Sequence, residues 1–321
     1  EMSGESSSRT DLDIPDVQRT LLEALLKTGK PVVLTLFTGR PLTLTWEQEH
    51  VPAILNVWFG GSEAAYAIGD VLFGDVNPSG KLTMTFPKNV GQIPLFYNHK
   101  NTGRPLAAGN WFEKFRSNYL DVDNEPLYPF GYGLSYTTFQ YSDIALSTPV
   151  MGQNGSTTAV VTVTNTGKRD GAEVVQLYIR DVLSSITTYE KNLAGFQRIH
   201  LEPGEAQELS FTIDRKHLEL LDADMKWVVE PGDFVLMAGA SSEDIRLNGT
   251  LTVEDYQTRA KAIEAQKPAK RVSASTNPED AENVLDEKIN TAWQGNKGDY
   301  ITFALKNGAK VDKVAIAFTR D

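Results

Sequence analysis

The residue types that could carry out nucleophilic, acid–base or metal chemistry form no standard pattern in this sequence. The four histidines, His50, His99, His200 and His217, are scattered, and none lies in an HExxH helix or a glycine-rich phosphate loop. The lack of cysteine excludes thiolate metal sites, disulfides and cysteine nucleophiles together. We therefore predict no metal and no cofactor, and we expect each histidine to be an ordinary surface or core residue.

Composition limits the class of partner. The 321 residues carry a net charge of −11, with lysines and arginines spread singly among the acids. This offers no basic stripe to a nucleic acid and no attraction to an anionic membrane, so neutral or small partners are favoured. No apolar run approaches the roughly 20 residues that cross a bilayer, which predicts no membrane insertion.

The two ends of the sequence resemble cuts within a longer protein. The chain begins at Glu1 without an initiator methionine, and its first residues lack the basic start and apolar stretch of a signal peptide. A strand predicted at residues 313–318 has no partner strand after it. We therefore expect truncation at both ends, and the lack of cysteine leaves the cellular compartment open.

The first hundred residues, taken as a domain at 1–97, show the alternation of an α/β layer domain. Apolar residues at helical spacing lie between Pro15 and Gly29, and Ser62 is the expected cap of a second helix. The continuous apolar runs are typical of strands covered on both faces. Helices are predicted at residues 16–27 and 62–73, and strands at residues 31–37, 53–59 and 81–86.

The pattern changes after this domain, and the sequence predicts a multidomain fold, α/β plus all-β. Residues 98–138 lose periodicity and accumulate aromatics, which predicts a structured connector packed on a neighbouring surface. Residues 139–253 contain about seven short alternating strands separated by turns, which is typical of a β-sandwich. Among them are strands at residues 159–164, 173–179, 193–199, 207–213, 226–229 and 232–239. Residues 254–270 are predicted to be a linker, and residues 271–321 to begin another strand-rich domain.

Nine short motifs occur in a fixed order along the first 178 residues. They are ESSSRTDLDIP (5–15), KPVVL (30–34), GRPL (39–42), AILNVWFGG (53–61), DVLFGDVNPSGKL (70–82), TFP (85–87), YPFGYGLSYT (128–137), VTNTG (163–167) and VVQLY (174–178). In this order they resemble the carboxy-terminal part of family 3 glycoside hydrolases of the β-glucosidase type. The resemblance covers about residues 1–253 and implies a partial α/β-sandwich domain followed by an immunoglobulin-like, fibronectin type III-like β-sandwich. It also implies a retaining exo-acting β-glycosidase, most like a β-glucosidase, that hydrolyses terminal β-D-glucosyl residues of glucosides or β-linked oligosaccharides and is periplasmic or secreted.

The same resemblance implies one catalytic residue in this chain. In such enzymes an Asp nucleophile lies on an amino-terminal barrel, and a Glu acid/base lies on a loop of the α/β domain. Glu5, four residues before Arg9, matches the acid/base position, and Glu1 is the nearest competitor. Retaining glycosidases need two carboxylates about 5–5.5 Å apart. No segment matches the nucleophile's barrel, so we expect the chain alone to be inactive without that missing domain as a partner.

Two further interpretations concern binding. Residues 271–321 resemble the start of a discoidin-type (factor V/VIII C-terminal) domain, a partial discoidin-like β-sandwich in which Trp293 is expected to be core. Aromatics between His99 and Tyr136 could line a sugar site, although packing between domains is the favoured role. The alternative to the enzyme is a non-catalytic carbohydrate-binding or adhesion module built from the β-sandwiches.

Overall fold

The protein is described by a computed structural model that covers residues 6–107, 110–253, 272–275, 277, 294, 296 and 300–303. The chain forms two compact units, Glu1–Glu254 and Asp255–Asp321. Strands outnumber helices in the described part. None of the helices described there is long and apolar enough to cross a bilayer.

The amino-terminal part of the first unit is a small α/β layer. Its elements are α1 (Asp16–Leu26), β1 (Val33–Leu36), α2 (Thr45–His50), β2 (Ala53–Asn56), α3 (Ala64–Phe73) and a 3₁₀ turn (Val90–Gln92). Strands β1 and β2 pair in parallel, with Val33 opposite Ala53, as a helical crossover between them requires. Leu22 of α1 and Leu36 of β1 lie in a core with Phe86.

The α/β layer is less covered than the apolar patterns predict. Val33 and Phe37, in the run expected to be buried on both faces, are 43% and 49% exposed. The helix α3 has no buried residue, and its Leu72 is 41% exposed. Its cap is Glu63 rather than Ser62, without a side-chain hydrogen bond. Apolar faces of this layer are therefore open to solvent in the described residues.

The strand predicted at residues 81–86 is wrong. Only Phe86 pairs, in an isolated bridge with Tyr128. The backbone instead bonds to the connector, through Leu82 N to Tyr132 O (2.8 Å) and Phe86 N to Tyr128 O (2.8 Å). The backbone of this segment is paired by an irregular neighbour rather than by a sheet, and its burial does not alternate, since Met84 is 52% exposed whereas Phe86 is buried.

The rest of the first unit is a β-sandwich of two mainly antiparallel sheets. Its elements are β3 (Phe139–Leu146), β4 (Val150–Met151), β5 (Thr157–Asn165), β6 (Gly171–Asp181), β7 (Asn192–Leu201), β8 (Ala206–Ile213), α4 (Arg215–Leu218), β9 (Leu220–Leu221), β10 (Trp227–Val228), β11 (Gly232–Gly239) and β12 (Ile245–Val253). One sheet has the order β4-β12-β11-β6-β7 and the other β3-β5-β8. Alternate residues of β5 point into the core, where Val161 lies opposite Leu209 of β8.

The second unit is described in only a few residues. Strands β13 (Val272–Ala274) and β14 (Ile301–Phe303) pair antiparallel, with Ser273 opposite Thr302. The predicted linker at residues 254–270, the expected core residue Trp293 and the predicted strand at residues 313–318 lie outside the described residues. The discoidin-like interpretation is not shown by this pair of strands.

Candidate functional site

The predicted acid/base, Glu5, and its competitor Glu1 both lie outside the described residues. The next residue along the chain, Ser6, adopts a left-handed conformation (φ 59°). Such a conformation is uncommon for a residue with a side chain and bends the backbone sharply. Residues 6–11 are exposed, so the segment that follows Glu5 lies on the surface of the α/β layer.

That segment is tied down a few residues further along. Thr43 donates its backbone N–H to Leu12 O (3.1 Å) and its hydroxyl to Asp13 Oδ1, while Leu12 and Ile14 are buried. Asp13 N also donates to Asp11 Oδ1 (2.9 Å). The segment is therefore attached to the α/β layer at Leu12 and Asp13.

A group of charged side chains around Arg19 supports the attachment of this segment, which we call the anchor. Arg19 donates from Nη2 and Nε to Glu47 Oε1 (2.9 and 3.1 Å), and its Nη1 lies 3.8 Å from Asp13 Oδ2. Glu47 is fully buried, and its Oε2 has no hydrogen-bond partner among the described residues. The guanidinium also lies over the Trp46 ring at 5.4 Å. This group connects the segment after Glu5 to helix α2.

The turn after α3 joins the α/β layer to the sandwich. Asn77 accepts from Ser135 Oγ (3.0 Å) and Tyr136 N (2.8 Å) through Oδ1. Its Nδ2 donates to Asp170 O (3.0 Å), immediately before β6. One side chain in the turn therefore binds both the connector and the sandwich. Its amide uses an acceptor and a donor in fixed directions, which only Asn at this length provides.

A buried ion pair lies beside this turn. Lys81 Nζ is 3.0 Å from Glu173 Oε1 on β6 and donates to Gly133 O (2.9 Å). The two charged side chains are only 11% and 5% exposed. A Cβ at Gly133 would come within 2.3 Å of Gly80 O, so glycine is required at this close approach. Sequence analysis missed this pair because its members lie far apart in the chain.

The aromatic residues of the connector divide into two groups. The predicted packing of the segment from Tyr128 to Tyr136 is present: Phe130 stacks on Tyr97 at 4.4 Å, and Tyr97 meets Tyr178 of β6 edge-on at 5.8 Å. Burial, with smaller contributions from neighbouring Tyr132 and Glu47, raises the pKa of Tyr128 to about 12. By contrast, the rings of Trp111, Phe112 and Phe115 are exposed.

The histidines have mainly structural contacts. His50 stacks on Trp46 with ring centroids 4.4 Å apart, and His217 Nδ1 lies 2.9 Å from Asp214 Oδ1. Burial acts to raise the pKa of Asp214, but the His217 side chain and the Lys216 backbone N–H outweigh it, so that this pKa is lowered.

One histidine belongs to a possible metal-ligand cluster that the sequence analysis did not find. Asp170, His200 and Glu202 each bring one ligand atom within 4.8 Å of the others. The antiparallel pairing of β6 with β7 places Ala172 opposite His200 and so creates this proximity. All three side chains are exposed, and the imidazole already lies 3.3 Å from Asp170, so the cluster assigns no cation by itself.

Comparison with known proteins gives the same two parts. The Glycosyl hydrolase family 3 C-terminal domain matches residues 1–136, and the Fibronectin type III-like domain matches residues 173–242. The periplasmic beta-glucosidase of Salmonella typhimurium is 52% identical over 245 residues, which is 76% of this chain and 32% of that protein. A beta-xylosidase of Formosa agariphila is 48% identical over 240 residues, 75% of this chain and 32% of that protein.

Solved structures agree with these matches. The crystal structure of a beta-glucosidase from Listeria innocua in complex with glucose superposes with a TM-score of 0.75 at 39% identity, over 79% of this chain and 35% of that one. The chain thus spans about a third of the length of its relatives. It contains a glycosyl hydrolase family 3 C-terminal domain followed by a fibronectin type III-like domain.

Proposed function

We propose that this chain is the carboxy-terminal part of a retaining exo-β-glycosidase of the β-glucosidase type, in which Glu5 is the acid/base. The observation that carries the proposal is the family 3 match, which begins at residue 1 and so includes Glu5. The 52% identity to a periplasmic beta-glucosidase supports the same activity. The substrate class is a glucoside or β-linked oligosaccharide with a terminal β-D-glucosyl residue.

The chemistry needs two carboxylates. An Asp of a barrel domain, outside this chain, attacks the anomeric carbon while Glu5 gives its proton to the departing glycosidic oxygen. The glycosyl–Asp ester then breaks when water, deprotonated by Glu5, attacks the same carbon, which restores both carboxyl groups. Without the first carboxylate we expect no turnover by this chain alone on aryl β-glucosides.

The anchored segment after Glu5 fits this role. An acid/base must stay within hydrogen-bond reach of the leaving oxygen, and the contacts from Thr43 to Leu12 and Asp13 hold one end of its loop. The Arg19–Glu47 pair supports that attachment from helix α2. The exposed residues 6–11 leave the loop free to face the barrel domain.

The test is the Glu5→Ala variant of the longer protein that carries the barrel. Loss of the acid should reduce kcat/KM for cellobiose by roughly 10²- to 10⁴-fold, because its alkoxide leaves poorly without a proton. The 2,4-dinitrophenyl glucoside should still form glycosyl–enzyme, since its phenolate leaves unaided. Azide should then rescue the second step because it needs no deprotonation.

The matched control is Glu1→Ala, which removes the neighbouring carboxylate and should leave both substrates unaffected. Equal losses on the two substrates, with no azide rescue, would show that Glu5 is structural. The acid would then be Glu1 or a residue outside this chain.

A second candidate activity is that of a β-xylosidase. The 48% identity to a beta-xylosidase favours it nearly as much as the 52% identity favours a β-glucosidase. The two differ in whether the sugar carries a hydroxymethyl group. Comparing kcat/KM for p-nitrophenyl β-glucoside and β-xyloside separates them, and a ratio below one assigns the xylosidase.

The parent protein is proposed to be periplasmic or secreted, because the Salmonella typhimurium relative is a periplasmic beta-glucosidase. We retain a partial discoidin-like β-sandwich as the proposal for residues 271–321, supported by the antiparallel pair β13–β14. Fractionation of cells into periplasm and cytoplasm tests the first proposal, and an experimental structure of the second unit tests the other.

A further inference from the structure

One edge of the β-sandwich contains a cavity that the proposed hydrolysis does not use. It consists of two adjoining lobes, of about 290 and 280 Å³. The lobes share Ile179, Asn192, His217 and Glu219, and Trp227 lines the second. Each lobe is near the lower end of the roughly 300–1,000 Å³ of ordinary ligand pockets. The size suits a small ligand of one or two rings.

The walls of this cavity are held in place before any ligand binds. Trp227 pairs with Leu221 across the β9–β10 hairpin, and its carbonyl accepts from Arg215 Nη2 (2.7 Å). The same arginine donates from Nε to Glu219 Oε2 (3.1 Å). The contact with Asp214 fixes the ring of His217 through Nδ1. A pre-formed site loses little entropy on binding.

The exposed chemistry of the cavity matches a sugar ring. Trp227 is 60% exposed, so an indole face remains available for contact. The C–H groups on one face of a pyranose are apolar and pack against such a ring, while its hydroxyls need donors and acceptors at the edge. Asn192 supplies Nδ2 as a donor, while its Oδ1 accepts a long bond from Asn98 Nδ2 (3.4 Å) and keeps a second lone pair. His217 retains Nε2 because Nδ1 is engaged.

The charges at the cavity favour a neutral ligand. The lining contains two lysines, Lys100 and Lys216, and two carboxylates, Asp181 and Glu219, so the formal charges cancel. Lys100 Nζ also lies over the Tyr189 ring at 5.3 Å. Glu219 also pairs with Arg215, whose charge lies outside the lining. The lining itself has equal numbers of lysines and carboxylates, and so no net formal charge that would select an anion or a cation.

We propose that this cavity of the fibronectin type III-like domain binds a neutral pyranose unit. The sugar stacks on Trp227 and bonds to Asn192 and His217. The proposal does not rest on hydrolysis, because it is measured as binding to the 321-residue chain itself. A failure here leaves the assignment of Glu5 untouched, and the reverse also holds.

The test uses saturation-transfer NMR with D-glucose and D-xylose as probes, together with the indole N–H signals of the five tryptophans of the ¹⁵N-labelled chain. The Trp227 signal is assigned by its loss in Trp227→Phe. We expect this signal to shift saturably, with a dissociation constant on the order of 1–10 mM for a ligand of about 12 non-hydrogen atoms. Trp227→Ala should weaken binding at least about tenfold, and Asn192→Ala about threefold.

The matched control is Trp111→Ala, which removes another exposed indole and should leave affinity unchanged. Trp227→Phe keeps an aromatic face and should retain binding within about threefold, which shows that any loss in Trp227→Ala is not misfolding. No saturation transfer, full affinity in Trp227→Ala, or an equal loss in Trp111→Ala would overturn the proposal. Tighter binding of glucuronate than of glucose would overturn the neutral class.

Discussion

Replacing Lys81 by Met should destabilise the first unit far more than breaking a closer ion pair elsewhere. The change keeps most of the aliphatic stem but removes the ammonium that binds Glu173 Oε1 (3.0 Å) and Gly133 O (2.9 Å). The Glu173 carboxylate, 5% exposed, then retains only a hydrogen bond from Val174 N among those described. Arg246 still acts on Glu173 electrostatically, but the carboxylate has little access to water that could replace the lost ammonium.

The size of the effect follows from this burial. Removing one partner of a buried ion pair costs about 3–5 kcal/mol, because the remaining charge stays desolvated. A domain of ordinary stability has only about 5–15 kcal/mol in total. The double variant Lys81→Met with Glu173→Leu removes both charges, so it should recover most of the loss despite deleting the interaction entirely.

The assay is urea unfolding of the chain, followed by circular dichroism and by tryptophan fluorescence. The control is Lys88→Met, which breaks the pair with Asp123 at 2.7 Å, where the two side chains are 26% and 36% exposed. That exposed pair should contribute only about 0–1 kcal/mol. If the distance between the charged atoms alone decided the contribution, Lys88→Met would lose more stability than Lys81→Met. A loss in Lys88→Met equal to that in Lys81→Met would refute the argument from burial.

Two further changes probe the contacts between the α/β layer and the β-sandwich. Tyr128→Phe should reduce the loss of stability at alkaline pH. The raised pKa of Tyr128 means that the folded state favours the neutral hydroxyl, so its contribution to stability is full below the ordinary pKa near 10 and is lost as pH rises through about 12. The measurement is the difference between the unfolding midpoints at about pH 9 and about pH 12. If this difference is the same in Tyr128→Phe as in the exposed control Tyr66→Phe, the prediction is contradicted. Gly133→Ala should cost about 1–3 kcal/mol, because its Cβ meets Gly80 O at 2.3 Å. Gly69→Ala, in helix α3 with nothing within 4 Å, should instead stabilise by about 0.5–1 kcal/mol, and the same sign for both in thermal melts would be the negative result.

The sandwich was predictable from sequence because its strands carry a period of two, even though β5 pairs with the distant β8 and β6 with the distant β11. The prediction of residues 232–239 coincides with β11, and residues 206–213 form β8 where 207–213 was expected. Strand β12 was missed although Ile245, Leu247, Leu251 and Val253 alternate, because Gly249 interrupts the apolar pattern. Local periodicity is sufficient where the partner strand is regular.

The α/β layer shows where this approach fails. An apolar run predicts burial, but burial needs a covering element, and Val33 and Phe37 remain open among the described residues. Residues 81–86 alternate like a strand and bond to a connector that has no periodicity of its own. Glu5 came only from a family resemblance, since one carboxylate near a terminus has no pattern to distinguish it.

A series of contacts between the α/β layer and the sandwich connects β6 to the segment that follows Glu5, the candidate acid/base. Lys81 ties the turn after α3 to β6, and Phe86 continues from that turn to pair with Tyr128. The Tyr128 hydroxyl donates to Gln48 of α2, next to Glu47, whose partner Arg19 lies beside the anchor of the Glu5 segment. The Arg19–Glu47 and Lys81–Glu173 ion pairs, at 2.9 and 3.0 Å, each contain a buried carboxylate. The Arg19–Asp13 contact is longer, at 3.8 Å, and the Tyr128–Gln48 hydrogen bond is exposed. We expect this series of contacts to restrict the motion of the α/β layer. A general acid depends on its position to a fraction of an ångström, which gives a physical reason for a hydrolase to retain a β-sandwich that carries no catalytic carboxylate.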